Sequence, residues 1–299
     1  MKYALLCLLF CAVSSLGALT EDERVRAIEE TYDRSMHHVS DDLQKWLQKQ
    51  ALPAAKFRTG MLRIDFHQMR KKLSKIEESF LKPSPDISSV LTPLQEYLVS
   101  RAPVDETLTQ FWQTAVEKNA KTIVALLMPT DSSCRSTPYW LPGRFPVLLP
   151  DWRIEYVSEE TIATSKLYPS AKLVKRVFAA QGVRSNEQRT ITHIHFENWP
   201  DNGPPALDLF CFLLDYVDTI HPWDNLPIYV HCAAGIGRSG TFVTAHSIRK
   251  ELKRWGAKKE INIPQRVIEL RTQRDKLVSQ ACQFQAIYAA TLQQLDQSN

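Results

Sequence analysis

The chain has 299 residues, 44% of them hydrophobic, and a formal net charge of +4. That is apolar material for one large domain with at most a small appendage. The charge is too weak, and Lys and Arg too evenly interleaved with Asp and Glu, to mark a nucleic-acid surface, so no nucleic-acid partner is expected.

Residues 1–17 stand apart. Lys2 precedes an unbroken apolar run, 4–13, and then Ser14, Ser15, Leu16 and Gly17. A basic start, a short apolar core and small residues predict a secretory signal peptide cleaved near Gly17 or Ala18, hence an exported protein. The run is too short to span a bilayer and no other stretch is long enough, so no stable membrane insertion is expected. Its removal leaves Cys134, Cys211, Cys232 and Cys282. These are expected to be three buried structural thiols and one reactive one, Cys232.

Residues 18–81 are dense in charge with helical periodicity: Val25, Ile28, Tyr32 and Met36, then Leu43, Trp46 and Leu47 before Pro53. A second piece over 61–81 carries Ile64, Met69, Leu73, Ile76 and Phe80. The pattern predicts a helical lead-in packed on the rest of the chain, with a separate binding module as the alternative. His37 and His38 diverge by about 100° on a helix and predict solvent exposure, not a metal pair.

From 82 to 299 helix and strand signals alternate. Prolines at 83, 85, 93 and 103 interrupt helices around a strand at 97–100. Residues 107–119 put Leu108, Phe111, Trp112 and Ala115 on one helix face, and 122–127 read as a buried strand. Stretches 153–156, 173–180 and 190–196 alternate apolar and polar residues as antiparallel strands do. His193 and His195 share one face of the last and, lacking a third ligand, are expected at the surface. Trp199-Pro200-Asp201 lies in a Pro- and Gly-containing loop before a helix at 207–220, where Asp201 can serve as a mobile acid and Glu197 is turned away by strand alternation.

The densest signal is Ile228-Tyr229-Val230-His231-Cys232-Ala233-Ala234-Gly235-Ile236-Gly237-Arg238-Ser239-Gly240. A β-branched strand runs into a loop of small residues and a helix from about Gly240. Backbone N–H groups and a helix start converging there suit a phosphate dianion. Such positive dipoles favour the nucleophilic thiolate form of a nearby Cys, and Arg238 can clamp two phosphoryl oxygens as Lys cannot. Two helices, 264–274 and 279–295, close the chain.

The 228–242 stretch resembles the phosphate-binding signature of the cysteine-dependent protein tyrosine phosphatases of receptor and non-receptor type. The acid loop, the strand and Phe-Trp helix of 97–127, the Cys134 to Pro142 segment and the 271–284 segment extend the resemblance over about 97–288. It implies an α/β fold: a highly twisted mixed sheet flanked by helices, with the phosphate loop at a strand's carboxyl end. It also implies hydrolysis of phosphotyrosine in protein substrates through a phosphocysteine. Cys232 is the nucleophile, Cys232 to Arg238 (Ala233, Ala234, Gly235, Ile236 and Gly237 between them) the phosphate cradle, and Asp201 the acid and then the base. Ser239 would donate a hydrogen bond to the Cys232 sulfur, and Gln283 would position water. No metal or cofactor is called for.

The sequence also departs from the family. Ser279 replaces the first of two paired Gln residues, and Gln280 is one position late and would face differently on a helix. Ser133 and Met128 replace a Lys and a Glu, and no Tyr occupies the loop that stacks on phosphotyrosine, for which Phe66 or Phe80 are the nearest substitutes. Three alternatives therefore stay open: a phosphoinositide phosphatase, argued against by the lack of Lys within 233–237; a phosphotyrosine-binding pseudophosphatase; and a secreted interaction protein acting through 18–81.

Overall fold

A computed structural model describes residues 20–80, 85–128, 138–221, 226–256 and 260–297. The leader-like segment 1–17, Cys134 and Ser133 lie outside the described residues.

Eight strands form one mixed sheet: β1 (Ile87–Leu91), β2 (Glu96–Arg101), β3 (Thr122–Leu126), β4 (Val147–Leu148), β5 (Trp152–Thr164), β6 (Lys172–Gly182), β7 (Gln188–Glu197) and β8 (Ile228–Cys232). Their order is β1-β2-β8-β3-β7-β6-β5-β4. The four central strands β2, β8, β3 and β7 are mutually parallel, and the flanking pairs are antiparallel. Strand β8 is buried throughout and apolar but for His231, because it is covered on both faces, as a central parallel strand must be. β5 extends well past the expected 153–156, since β6 pairs with it along its whole length through two register shifts.

Alternate side chains of β3 enter two cores. Ile123, Ala125 and Leu127 meet Phe111, Trp112 and Ala115 of α5 (Leu108–Glu117), while Val124 and Leu126 face the larger core. The larger core is built by α6 (Leu207–Ile220), α7 (Gly237–Trp255), α8 (Ile263–Gln273) and α9 (Ala281–Gln297). Each fully buried apolar side chain in these layers contributes roughly 1.5–3 kcal/mol. Among the described residues no helix is long and apolar enough to cross a membrane.

The lead-in forms four helices: α1 (Glu21–Met36), α2 (Asp41–Gln48), α3 (Phe57–Met61) and α4 (Phe66–Glu78). A capping box on Thr20 starts α1, and Asp65 caps α4, which splits the expected 61–81 helix into two pieces. Met36, Leu47, Phe57, Met69, Leu73 and Ile76 join the larger core directly. A buried ion pair, Glu77 Oε2 to Arg271 Nη1 at 3.0 Å, ties α4 to α8. Removing one partner of such a pair typically costs about 3–5 kcal/mol. His37 and His38 are exposed.

His193 and His195 are not at the surface; both are fully buried, because β7 is covered on both faces. Tyr139 Oη lies 2.8 Å from His193 Nε2 and 2.7 Å from His231 Nε2. A phenol donates one hydrogen bond, so Tyr139 can donate to only one of these imidazoles, and the other donates its Nε2–H to the phenol oxygen. Burial, with His195 and Arg238 nearby, pulls His231 down to about 3. Burial likewise draws His195 to about 4 and His193 well below its usual value. Below about pH 6.5 the unfolded chain therefore binds protons that the native state refuses, and stability is lost progressively down to about pH 3. The unfolding free energy from urea titration should fall between pH 7 and pH 5, by up to about 1 kcal/mol per pH unit for each fully buried His, and the midpoint with it. A midpoint constant over that range would contradict neutral buried imidazoles.

Candidate active site

Because β7, β3, β8 and β2 are parallel, their carboxyl ends share one sheet edge. Cys232 ends β8, opposite Leu126 on one side and Arg101 on the other. Glu197 ends β7, and the Trp199-Pro200-Asp201 loop leaves from the same edge. Topology, not sequence proximity, thus brings Asp201 to Cys232 and Arg238.

Arg238 sits in the first turn of α7, which begins at Gly237 and not Gly240. Helical backbone at 237–239 buries the Arg238 side chain beneath the acid loop. Nη1 donates to the Trp199 carbonyl at 2.9 Å, and Nη2 lies 3.1 Å from Asp201 Oδ1. Arg238 is 1% exposed and Asp201 37%, so the guanidinium is fixed in the interior while the carboxylate stands at the mouth. Trp199 is buried and donates from its indole to the Gly203 carbonyl at 3.1 Å. Asn198 and Asn202, both at positive φ (64° and 56°), bracket the loop. Glu197 is committed elsewhere, pairing with Arg176 and Lys172 at 3.1 Å each.

The phosphate loop is held from behind. The Ala102 N–H donates to the carbonyls of Cys232 (2.7 Å) and Ala233 (3.2 Å), Arg274 Nε to Gly235 O (2.8 Å), and the Val278 N–H to Ile236 O (3.3 Å). In a planar trans peptide the next N–H points opposite to the carbonyl. The N–H groups of Ala233, Ala234, Ile236 and Gly237 are thereby turned away from those donors, as an anion cradle requires. Gly235 has φ +69°, and a side chain there would be driven into the Ser100 carbonyl. At Gly237 a Cβ would lie 2.7 Å from Gln283 Nε2, and at Gly240 2.5 Å from Val278 N.

Gln283 is buried, and its Oε1 accepts from the backbone N–H groups of Ser279 (3.0 Å) and Gln280 (3.1 Å). Its amide nitrogen therefore faces the loop at Gly237. Gln280 does not turn away from the site: its Nε2 donates to Asn202 Oδ1 at 3.0 Å, because α9 begins only at Ala281. Ser239 is fully buried, but its Oγ has no hydrogen-bond partner, so the expected bond to the Cys232 sulfur is not formed. Cys211 is buried, and burial pushes its thiol up to about 12. Cys282, expected as a buried structural thiol, is half-buried and donates to the Asn202 carbonyl at 3.5 Å. Phe66 packs edge-on against Tyr288, 5.4 Å away, and is no stacking platform. Phe80 is half-buried against the larger core. Among the described residues no group of three or more His, Cys, Asp or Glu is placed to hold a metal ion.

The sequence reading missed Arg274, which also binds Ser88 Oγ (2.9 Å) and the Pro85 carbonyl (3.0 Å). It missed Tyr139 and His231 as well. The available signal was Arg271 and Arg274 on a helix otherwise lined by Val267, Ile268 and Leu270. Gly235→Ala combines a strained positive φ with a backbone collision. It should lower unfolding stability by about 2–4 kcal/mol in urea titration. A loss under about 0.5 kcal/mol would show that the loop relaxes without it.

Residues 86–293, more than half the chain, match the family model described as protein-tyrosine phosphatase. Tyrosine-protein phosphatase 2 of Dictyostelium discoideum is 32% identical over 200 residues, covering 65% of this chain and 50% of that protein. Receptor-type tyrosine-protein phosphatase N2 of Macaca nemestrina is 30% identical over 203 residues, 67% of this chain and 19% of that one. The chain thus spans half the length of the first relative and much less of the second. A solved structure titled PTPN18 in complex with HER2-pY1196 phosphor-peptides shares the fold, with a TM-score of 0.58, 21% identity and 66% coverage of each chain. With the mixed sheet, the cradle after β8 and the buried Arg beneath the Trp-Pro-Asp loop, the match over 86–293 makes this chain a member of the protein-tyrosine phosphatase family.

Proposed function

We propose that the chain hydrolyses phosphotyrosine in proteins through a phosphocysteine intermediate. The observation that carries this reading is the meeting of Cys232, Arg238 and Asp201 at one sheet edge, with Arg238 touching both the Trp199 carbonyl and Asp201. Its relatives' names support the substrate class.

A phosphoryl group on the cradle receives the loop N–H groups and the planar guanidinium of Arg238 on its equatorial oxygens. The Cys232 thiolate attacks phosphorus in line as the bond to the phenolic oxygen breaks. Asp201 transfers its proton to that oxygen, releasing tyrosine. The resulting Asp201 carboxylate then takes a proton from water, whose oxygen attacks phosphorus. The P–S bond breaks, and thiolate and inorganic phosphate are regenerated. Gln283, with its oxygen occupied by Ser279 and Gln280, offers its amide N–H groups on the loop side to orient that water. The scheme uses no metal or cofactor.

Cys232→Ser should abolish turnover of a phosphotyrosine peptide while leaving its binding intact, and Arg238→Lys should lose both. Asp201→Ala should slow basic leaving groups by about 10²–10⁴ and activated aryl phosphates far less. Substantial turnover by Cys232→Ser would overturn the mechanism, and preference for a phosphoinositide over the peptide would overturn the substrate class.

The apolar, small-residue pattern of 1–17 supports a further proposal, that the chain is exported. Material recovered outside the cell should begin near Ala18 or Leu19 by N-terminal sequencing. A start at Met1 would contradict it.

A further inference from the structure

The residue after the proposed acid is gripped from the far side of the site. Asn202 stands at φ +56° with its side chain bonded in two directions. Its Oδ1 accepts from Gln280 Nε2 at 3.0 Å, while its own Nδ2 donates to Asp201 Oδ2 at 3.2 Å. Its backbone carbonyl accepts the weaker thiol bond from Cys282 at 3.5 Å. A carboxamide has one donor end and one acceptor end. Because Gln280 offers N–H to the acceptor end, the donor end must face Asp201. Gln280 thus sets the orientation of Asn202 and, through it, of the acid.

The gripping side is rigid. Gln283 is buried against Gly237 of the phosphate loop, and its Oε1 holds the Ser279 and Gln280 N–H groups in place. The gripped side is the exposed stretch 200–202, tied down by Arg238 and the Trp199 anchor. The single turn 280–283 that opens α9 therefore touches both halves of the site.

We propose that Gln280 and Cys282 are positioning residues that hold the acid loop over the phosphate cradle through Asn202. The proposal rests on the phosphatase reading above, since its kinetic consequence is efficient protonation of the leaving group. Gln280 carries most of the effect, because a thiol is a weak donor.

The test compares kcat for aryl phosphates whose leaving phenols run from basic to activated. One neutral hydrogen bond implies that Gln280→Ala lowers kcat about fivefold for phenyl phosphate and leaves a nitrophenyl phosphate nearly unchanged. Cys282→Ala should cost about twofold with the same dependence, and Cys282→Ser, which keeps a donor, should restore it. KM and the urea midpoint should stay at wild-type values. In an Asn202→Gly background, compatible with the positive φ, Gln280→Ala should have no further effect. Independently of turnover, amide exchange at Asp201, Asn202 and Gly203 should speed up in Gln280→Ala.

Equal losses across leaving groups, multiplicative effects in the Asn202→Gly background, or unchanged exchange would overturn the proposal. A wild-type protein without phosphotyrosine turnover would overturn the functional reading instead, and the exchange measurement would still decide whether the grip exists. An active wild type that needs Asp201 but is indifferent to Gln280 would sink only the positioning role.

Discussion

An anion cradle made of backbone needs its carbonyls taken from one side so that its N–H groups can face the other. Here the carbonyls of Cys232, Ala233, Gly235 and Ile236 are bound by Ala102, Arg274 and Val278. A buried carbonyl left unpaired costs about 1–3 kcal/mol, so a loop without these partners would turn its peptides over. The support is itself supported. Val278 adopts a positive φ of 59°, strained for a β-branched residue. Arg271 compensates by binding the Leu277 and Val278 carbonyls at 2.8 Å each. Arg271 is in turn paired with Glu77 of α4, whose other oxygen accepts the Lys276 N–H at 2.5 Å. The lead-in is therefore wired, through three buried residues, to the backbone that shapes the cradle.

The acid loop is built on a different principle. Its Trp199 is sealed in the core, while 200–202 is exposed and attached by a few polar contacts. Each such bond contributes only about 0.5–1.5 kcal/mol net, so the loop can open without disturbing the sheet. Rigidity at Cys232 and Arg238 combined with looseness at Asp201 suits the proposed reaction, in which phosphate stays fixed and substrate must enter and leave.

The edge carrying these loops also explains the buried imidazoles. His193, His231 and Tyr139 fill the layer beneath the carboxyl ends of β7 and β8, among Phe111, Trp140 and Phe178. Kept neutral by burial, the two rings share one phenol, and they brace the strand that ends in Cys232 without placing a competing charge beside it.

Local chemistry was legible wherever neighbours in sequence are neighbours in space. The strand, small-residue loop and Arg of 228–238, the Trp-Pro-Asp turn, the Phe-Trp helix and the amphipathic lead-in could all be read from period and residue type. Three kinds of fact could not. Burial of His193 and His195 depends on which layer covers β7, which strand alternation alone does not say. The helix start at Gly237 and the turn of Gln280 toward the site depend on contacts with Val278 and Asn202, each distant in sequence from the residue it meets. The service of Arg274 to Gly235, 39 positions away, and the grip of Gln280 on Asn202, 78 positions away, exist only because parallel strands bring their carboxyl ends to one edge. Residue types alone show that the chain carries a thiol, a guanidinium and a carboxylate suited to the proposed chemistry. Only the tertiary structure decided which way the peptides face and what holds the acid, because those depend on hydrogen bonds between segments that share no local pattern.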